Sequence, residues 1–263
     1  MNSCLMCGSR VSEFISFGPM PVANGFLTPE EFAQERFFPL NVGLCTTCKM
    51  VQLMERVDPG TLFHEGYPYF SSTSRSMSDH FQAFAGLVKV EYMDPADPFV
   101  VEIGSNDGIM LQHFAVASIR HLGIEPSTNV ARVGMAKGIN TVCEFFDQDL
   151  ARSILDEYGP VDAFLGANVM CHIAELDSVL AGIKLLLKPE GVLIFEDPYL
   201  GDIVEKTSYD QMYDEHIFYF SVTSLGHALE KHSLELVDIM PQKVHGGSMR
   251  YVVAHRGARP VSP

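Results

Sequence analysis

The chain has 263 residues, 47% of them hydrophobic, with 33 acidic against 18 basic side chains and a formal charge of −15. That apolar content buries at least one sizeable core, which excludes disorder for most of the chain, and the acidic excess opposes a phosphate-binding stripe, which excludes nucleic acid as a partner. No run approaches the roughly 18 consecutive apolar residues of a spanning helix, and the start, MNSCLMCGSRVSEF, has neither region of a secretory signal, so a cytoplasmic protein without membrane contact is expected.

The first motif is a pair of CxxC knuckles, 4-CLMC-7 and 45-CTTC-48. Where no export signal is present the redox compartment disfavours disulfides, and four thiolates in matched knuckles suit a tetrahedral zinc ion. Cys4, Cys7, Cys45 and Cys48 would fill all four positions, so the zinc is expected to be structural. Gly8 and Lys49, each following a knuckle, are expected in tight turns. Cys143 and Cys171 lie in apolar surroundings and are expected to be ordinary core residues.

Residues 1–60 read as a small zinc-stapled module, broken at Gly18-Pro19 and Pro21 and too poor in large apolar residues to hold a core unaided. Residues 61–95 read as a linker and one amphipathic helix, in which Met77, Phe81, Phe84 and Val88 recur at helical spacing behind a serine-rich lead-in. The break 94-DPADP-98 separates them from the main domain, 96–263.

From Phe99 onward apolar runs alternate with helical patterns. Strands are predicted at 99–103, 120–125, 139–143, 161–168 and 191–197, then a helix at 222–232 and two last strands at 234–240 and 248–255. This alternation predicts an α/β fold with a doubly wound parallel sheet, whose ligands sit beyond the carboxyl ends of the strands. The first strand runs into 102-EIGSNDG-108, where Gly104 permits a sharp turn and Gly108 opens a helix. The spacing is not the dinucleotide fingerprint, because Asn106 stands where its middle glycine would be. Glu125, ending the second strand in 123-GIEP-126, is placed to take both hydroxyls of a ribose. Glu102-x-Gly104 with that second acid is the arrangement used for S-adenosylmethionine; NAD, or a loop that binds nothing, are the alternatives. Asn168 ends the fourth strand, where its amide can face the methionine or adenine part of that cofactor. Phe145 and Phe146 either flank the adenine or belong to the core.

Late in the chain, 210-DQMYDEHIFYF-220 sets a phenol, two carboxylates and an imidazole beside an apolar run. A helical turn would bring Tyr213 and His216 to one face, whereas a strand would part them. His245-Gly246-Gly247 is either a plain hairpin turn or a substrate contact, and Lys206 either reaches a phosphate or is merely solvated.

Taken in order, the knuckles, EIGSNDG, 123-GIEPSTNVA-131, 166-GANVMCHI-173, 195-FEDPYLGDIVEKTSYDQMYDEH-216 and 245-HGGSMRY-251 resemble the sugar C-methyltransferases that methylate C-3 of nucleotide-linked 4-keto-deoxysugars. The resemblance runs over nearly the whole chain. It implies a class I S-adenosylmethionine-methyltransferase Rossmann-like domain behind a small zinc-binding domain. It also implies S-adenosylmethionine and structural Zn2+ as cofactors, a nucleotide-sugar substrate, most simply dTDP-linked, in antibiotic deoxysugar biosynthesis, and a monomer or weak dimer. Members usually continue into a carboxyl-terminal domain that helps hold the nucleotide-sugar, whereas this sequence stops at Pro263. Carbon methylation needs removal of a proton alpha to the ketone and stabilisation of the enolate oxygen. For these tasks the resemblance implies His216 as base, Tyr213 as partner to the keto oxygen or alternative base, and Glu215 as the group fixing the imidazole tautomer. It implies His172 as an additional imidazole and Tyr67, rather than its neighbour Tyr69, as the tyrosine closing over the site. Another ketone or phenol acceptor, or a non-catalytic zinc-knuckle adaptor, are the competing readings.

Overall fold

The computed structural model describes residues 3–263. In chain order, β1 (Val11–Pro21), β2 (Phe37–Cys45) and β3 (Val51–Leu53) are followed by α1 (Pro59–Leu62) and α2 (Arg75–Glu91). Then come β4 (Phe99–Ile103), α3 (Gln112–Ala115), β5 (Arg120–Ile124), α4 (Thr128–Ala136), β6 (Thr141–Val142), α5 (Gln148–Tyr158), β7 (Val161–Ala167), α6 (Leu176–Leu186) and β8 (Leu187–Pro198). The chain closes with α7 (Leu200–Lys206), β9 (Phe218–Tyr219), α8 (Val222–Glu230), β10 (Leu234–Gln242) and β11 (Ser248–His255).

The large sheet has the order β10-β11-β8-β7-β4-β5-β6. All five residues of β4 are buried, as a strand covered on both faces requires. Phe99, Val101 and Ile103 enter one core cluster while Val100 enters another, so the period-2 alternation feeds two layers. The second layer is completed by α2, which buries Phe81, Phe84 and Val88 at the predicted spacing and begins at Ser74, whose hydroxyl accepts from the Met77 amide.

Two details depart from expectation. The sheet is not wholly parallel, because β11 runs antiparallel to both β8 and β10. The turn joining β10 to β11 is too short for a crossover, and a short turn can join only antiparallel neighbours. The third predicted strand shrinks to Thr141–Val142 at the sheet edge, which leaves Cys143 exposed, not in the core. Cys171 is buried as expected.

The small sheet has the order β1-β2-β3-β9. Its fourth strand comes from the distant 210–220 stretch: Val51 pairs with Tyr219 and Gln52 with Phe218, and the Leu53 amide donates to the Ile217 carbonyl at 2.9 Å. The segment carrying Tyr213 and His216 is thus hydrogen-bonded into the amino-terminal module. Among the described residues no helix is long and apolar enough to cross a membrane.

Candidate active site

At the carboxyl ends of β4, β5 and β7 lies a cavity of about 830 Å³, walled on its other side by residues of the amino-terminal module, the linker and the 211–216 turn. One half of the wall is a loop-and-carboxylate cradle. After β4 the chain turns at Gly104, whose φ of +63° disfavours side chains and where a Cβ would meet Cγ2 of Val169 at 2.8 Å. Glu125, just past β5, accepts the Asn106 amide at 3.0 Å on one oxygen and the Ser127 amide at 2.8 Å on the other. Burial pushes its carboxyl up, and these amide bonds partly offset that.

Gly104, Asn106, Glu125 and Asn168 line the cavity, whereas Glu102, in β4, and Gly108 do not; Gly108 turns at φ +77° four residues before α3 and so does not open that helix as expected. Glu102 is 3% exposed, and burial, then the charges of Glu125 and Asp107, raise its carboxyl far above the usual range. The Asn106 side chain is spent on the linker: it accepts from the Ser71 amide at 3.0 Å and donates to the Tyr69 carbonyl at 3.1 Å. With Asn129 donating to the Tyr67 carbonyl at 2.7 Å, the linker is tied directly to the cradle. Asn168, held at φ +53°, keeps a buried Oδ1 that has no hydrogen-bond partner among the described residues. A free acceptor beside a carboxylate and a glycine turn fits the ammonium and ribose hydroxyls of S-adenosylmethionine. Both phenylalanines line the cavity, Phe146 buried against Phe164 and Phe145 52% exposed on the rim.

The opposite half holds the predicted proton-handling groups. Residues 213–216 form a turn closed by the His216 amide donating to the Tyr213 carbonyl at 3.1 Å, so the two side chains meet. The Tyr213 hydroxyl is 2.9 Å from His216 Nε2, and His216 Nδ1 is 2.8 Å from the Gln211 carbonyl. A carbonyl only accepts, so Nδ1 carries the proton and Nε2 is the acceptor facing the phenol. Burial pushes the imidazole down to about 4 against that carbonyl's opposing effect, keeping it neutral. Burial, then the Glu215 charge, raises the Tyr213 phenol.

The tautomer is therefore fixed by the Gln211 backbone and not, as expected, by Glu215. In a turn adjacent side chains diverge, and Glu215 instead accepts from Asn24 Nδ2 at 2.6 Å. His172 stacks between His216, at 5.1 Å, and Phe63, at 5.7 Å, and its Nε2 has no partner among the described residues. Burial, then the neighbouring His216 and His245, holds this ring neutral. Tyr67 is 9% exposed against 44% for Tyr69, so Tyr67 is the tyrosine packed into the site. His245, at φ +49°, lines the cavity, whereas Lys206 is engaged by Asp202 at 3.2 Å and the Gly246 carbonyl at 2.9 Å. Sequence reasoning missed Asn24 and Phe63, whose positions become visible only when the module folds against the main domain.

At the other end of that module the Cys4 and Cys48 sulfurs are 3.5 Å apart, as are those of Cys7 and Cys45, and all four lie within 4.8 Å of one another. Zinc–sulfur bonds of about 2.3 Å in a tetrahedron put sulfurs about 3.8 Å apart, so the set fits zinc. Gly8 and Lys49 both adopt the left-handed turns expected after the knuckles.

Residues 69–239 match the family model described as "Methyltransferase domain". The chain belongs to that family. Residues 4–63 match a second model, "Putative zinc binding domain". The chain is 33% identical over 252 residues to the C-methyltransferase NovU of Streptomyces niveus, an alignment covering 95% of this chain and 60% of that protein. The chain thus spans less than two thirds of that relative's length. Among solved structures it is similar to a chain of the complex between the Haloferax volcanii Trm112 methyltransferase activator and a methyltransferase, with TM-score 0.53 and 14% identity over 70% of this chain and 94% of that one. An S-adenosylmethionine-dependent methyltransferase from Anabaena variabilis gives TM-score 0.52 and 14% identity over 68% and 86%. These likenesses establish the fold, a class I S-adenosylmethionine-methyltransferase domain behind a small zinc-binding one; the family's methyl donor is S-adenosylmethionine.

Proposed function

We propose that the methyltransferase methylates a carbon alpha to a ketone, and that its acceptor is a nucleotide-linked 4-keto-deoxysugar, most simply dTDP-linked, methylated at C-3 in the making of an antibiotic sugar. The observation that carries this reading is the Tyr213–His216 pair, 2.9 Å apart with an unprotonated Nε2, in the same cavity as the Glu125 cradle. The volume, about 830 Å³, lies high in the range of ligand pockets and suits a donor and an acceptor held together. The identity to NovU over nearly the whole chain supports the carbon acceptor.

When bound, S-adenosylmethionine supplies an electrophilic methyl group on a sulfonium. His216 Nε2, directly or through the Tyr213 oxygen, takes the proton from the carbon alpha to the ketone, and the C–H electron pair moves toward the keto oxygen. The partnerless nitrogen of His172, protonated in its neutral tautomer, donates to that oxygen; a neutral imidazole does so without giving up its proton. Tyr67 and Phe63 cover the site and keep water from the enolate. With the donor held at the Glu125 cradle, the enolate carbon would form its bond to the sulfonium methyl as the sulfur–methyl bond breaks with inversion at that methyl, S-adenosylhomocysteine being the leaving group.

The test is deuterium wash-in at the alpha carbon of nucleotide-linked 4-keto-sugars without cofactor, followed by turnover with labelled methyl donor. Exchange by the wild type and its loss in His216→Gln are expected. A bound keto-sugar that exchanges no deuterium would overturn enolisation.

A further inference from the structure

We infer that Asn24, on the loop leaving β1, is a positioning residue for the cavity carboxylate of Glu215, so that the zinc module is a working part of the methyl-transfer site. This rests on the carbon-methylation reading for its kinetic consequence, not for its geometry. Asn24 Nδ2 donates to Glu215 Oε1 at 2.6 Å, and the adjacent Ala23 amide donates to Asp214 Oδ1 at 3.1 Å. Two consecutive residues thus grip two consecutive carboxylates that lie 191 positions further along the chain. Ala23, Asn24 and Glu215 all line the cavity, and Glu215 is only 3% exposed.

The chemistry of the contact argues against a mere latch between domains. A latch needs no ionisable group facing the ligand space, and a lysine there would cancel the carboxylate's charge. A neutral amide instead fixes one oxygen and leaves the charge, and the second oxygen, available to a sugar hydroxyl. The backbone supports this use: Asn24 sits at φ +58°, a conformation that asparagine tolerates and most side chains do not. The Gly25 amide closes the loop on the Val22 carbonyl at 3.3 Å. The groups whose charges act with Glu215 are Asp214 and Tyr213 on its own segment, Tyr67 of the linker and Cys171 after β7. Burial raises the Glu215 carboxyl, and the Asn24 bond opposes that rise.

The experiment compares zinc-loaded wild type with Asn24→Gly and Asn24→Asp, both residues that accept a left-handed backbone. Glutamate labelled with 13C in its carboxyl gives the titration of Glu215, assigned by the signal missing in Glu215→Gln. In Asn24→Gly that titration is expected to move to higher pH, with kcat/KM for the keto-sugar falling about 10-fold or more and S-adenosylhomocysteine affinity within about twofold of wild type. Asn24→Asp, which sets two carboxylates against each other, should raise the titration further. An unmoved Glu215 titration in a folded Asn24→Gly protein overturns the inference, whatever the activity. If no keto-sugar is methylated by wild type, the acceptor reading fails, and the titration alone decides the role of Asn24.

Discussion

The Tyr213 hydroxyl lies 2.9 Å from Nε2 of His216 while the other ring nitrogen is bound by the Gln211 carbonyl at 2.8 Å. The backbone thereby settles which nitrogen can take a proton before any substrate arrives. Since the phenol and imidazole share one hydrogen bond, they act as a unit.

Tyr213→Phe and His216→Gln are each expected to lower methyl transfer by about 10²- to 10⁴-fold, and the double variant to fall little further, because groups in one relay are not additive. Steady-state rates with labelled cofactor check this. S-adenosylhomocysteine affinity, read by calorimetry, should stay near wild type in all three, and multiplicative losses would contradict the shared relay.

Glu125→Gln addresses the other half of the cavity. Glu125 accepts amides on both oxygens, so replacing one oxygen by an NH2 sets donor against donor at either Asn106 or Ser127. S-adenosylhomocysteine binding should weaken by about 10- to 100-fold, with keto-sugar exchange in the absence of cofactor largely kept.

Zinc removal should reach the active site through β3 and β9. Metal analysis is expected to give one zinc per chain, and chelation or Cys48→Ser should lower the melting temperature and abolish most methyl transfer. The cradle belongs to the large sheet, so cofactor affinity should suffer far less than the rate.

Stability should fall in acid partly because of His216. Its folded pKa, about 4, lies below the ordinary value near 6.5, so the unfolded chain binds the proton first as pH falls. The stability present above about pH 6.5 is lost down to about pH 4, by up to about 3 kcal/mol for this group. Denaturant titrations of wild type and His216→Gln across that range should diverge by this amount, with the variant losing less.

Much of this architecture was legible in the sequence. The buried strands around Val101 and Ile194 show as uninterrupted apolar runs, α2 shows through the spacing of Phe81, Phe84 and Val88, and the knuckles show through cysteine spacing alone. What escaped depends on partners remote in sequence. Nothing local says that Asn24 meets Glu215, or that Phe218–Tyr219 joins a sheet begun at Val11. The role that the resemblance implied for Glu215 goes to the Gln211 backbone, because the turn directs the carboxylate to Asn24 and away from His216. Cys143 was misread because an apolar neighbourhood in sequence gave no sign that its strand lies at the sheet edge.

The pairing of β3 with β9 also orders events during synthesis. The first three strands of the small sheet leave the ribosome long before their fourth partner, and the knuckles can capture metal while that edge still waits uncovered. A nascent chain can therefore hold its zinc and even shape the Glu125 cradle before Tyr213 and His216 reach the cavity wall. The imidazole takes its place only when the strand following His216 docks on β3.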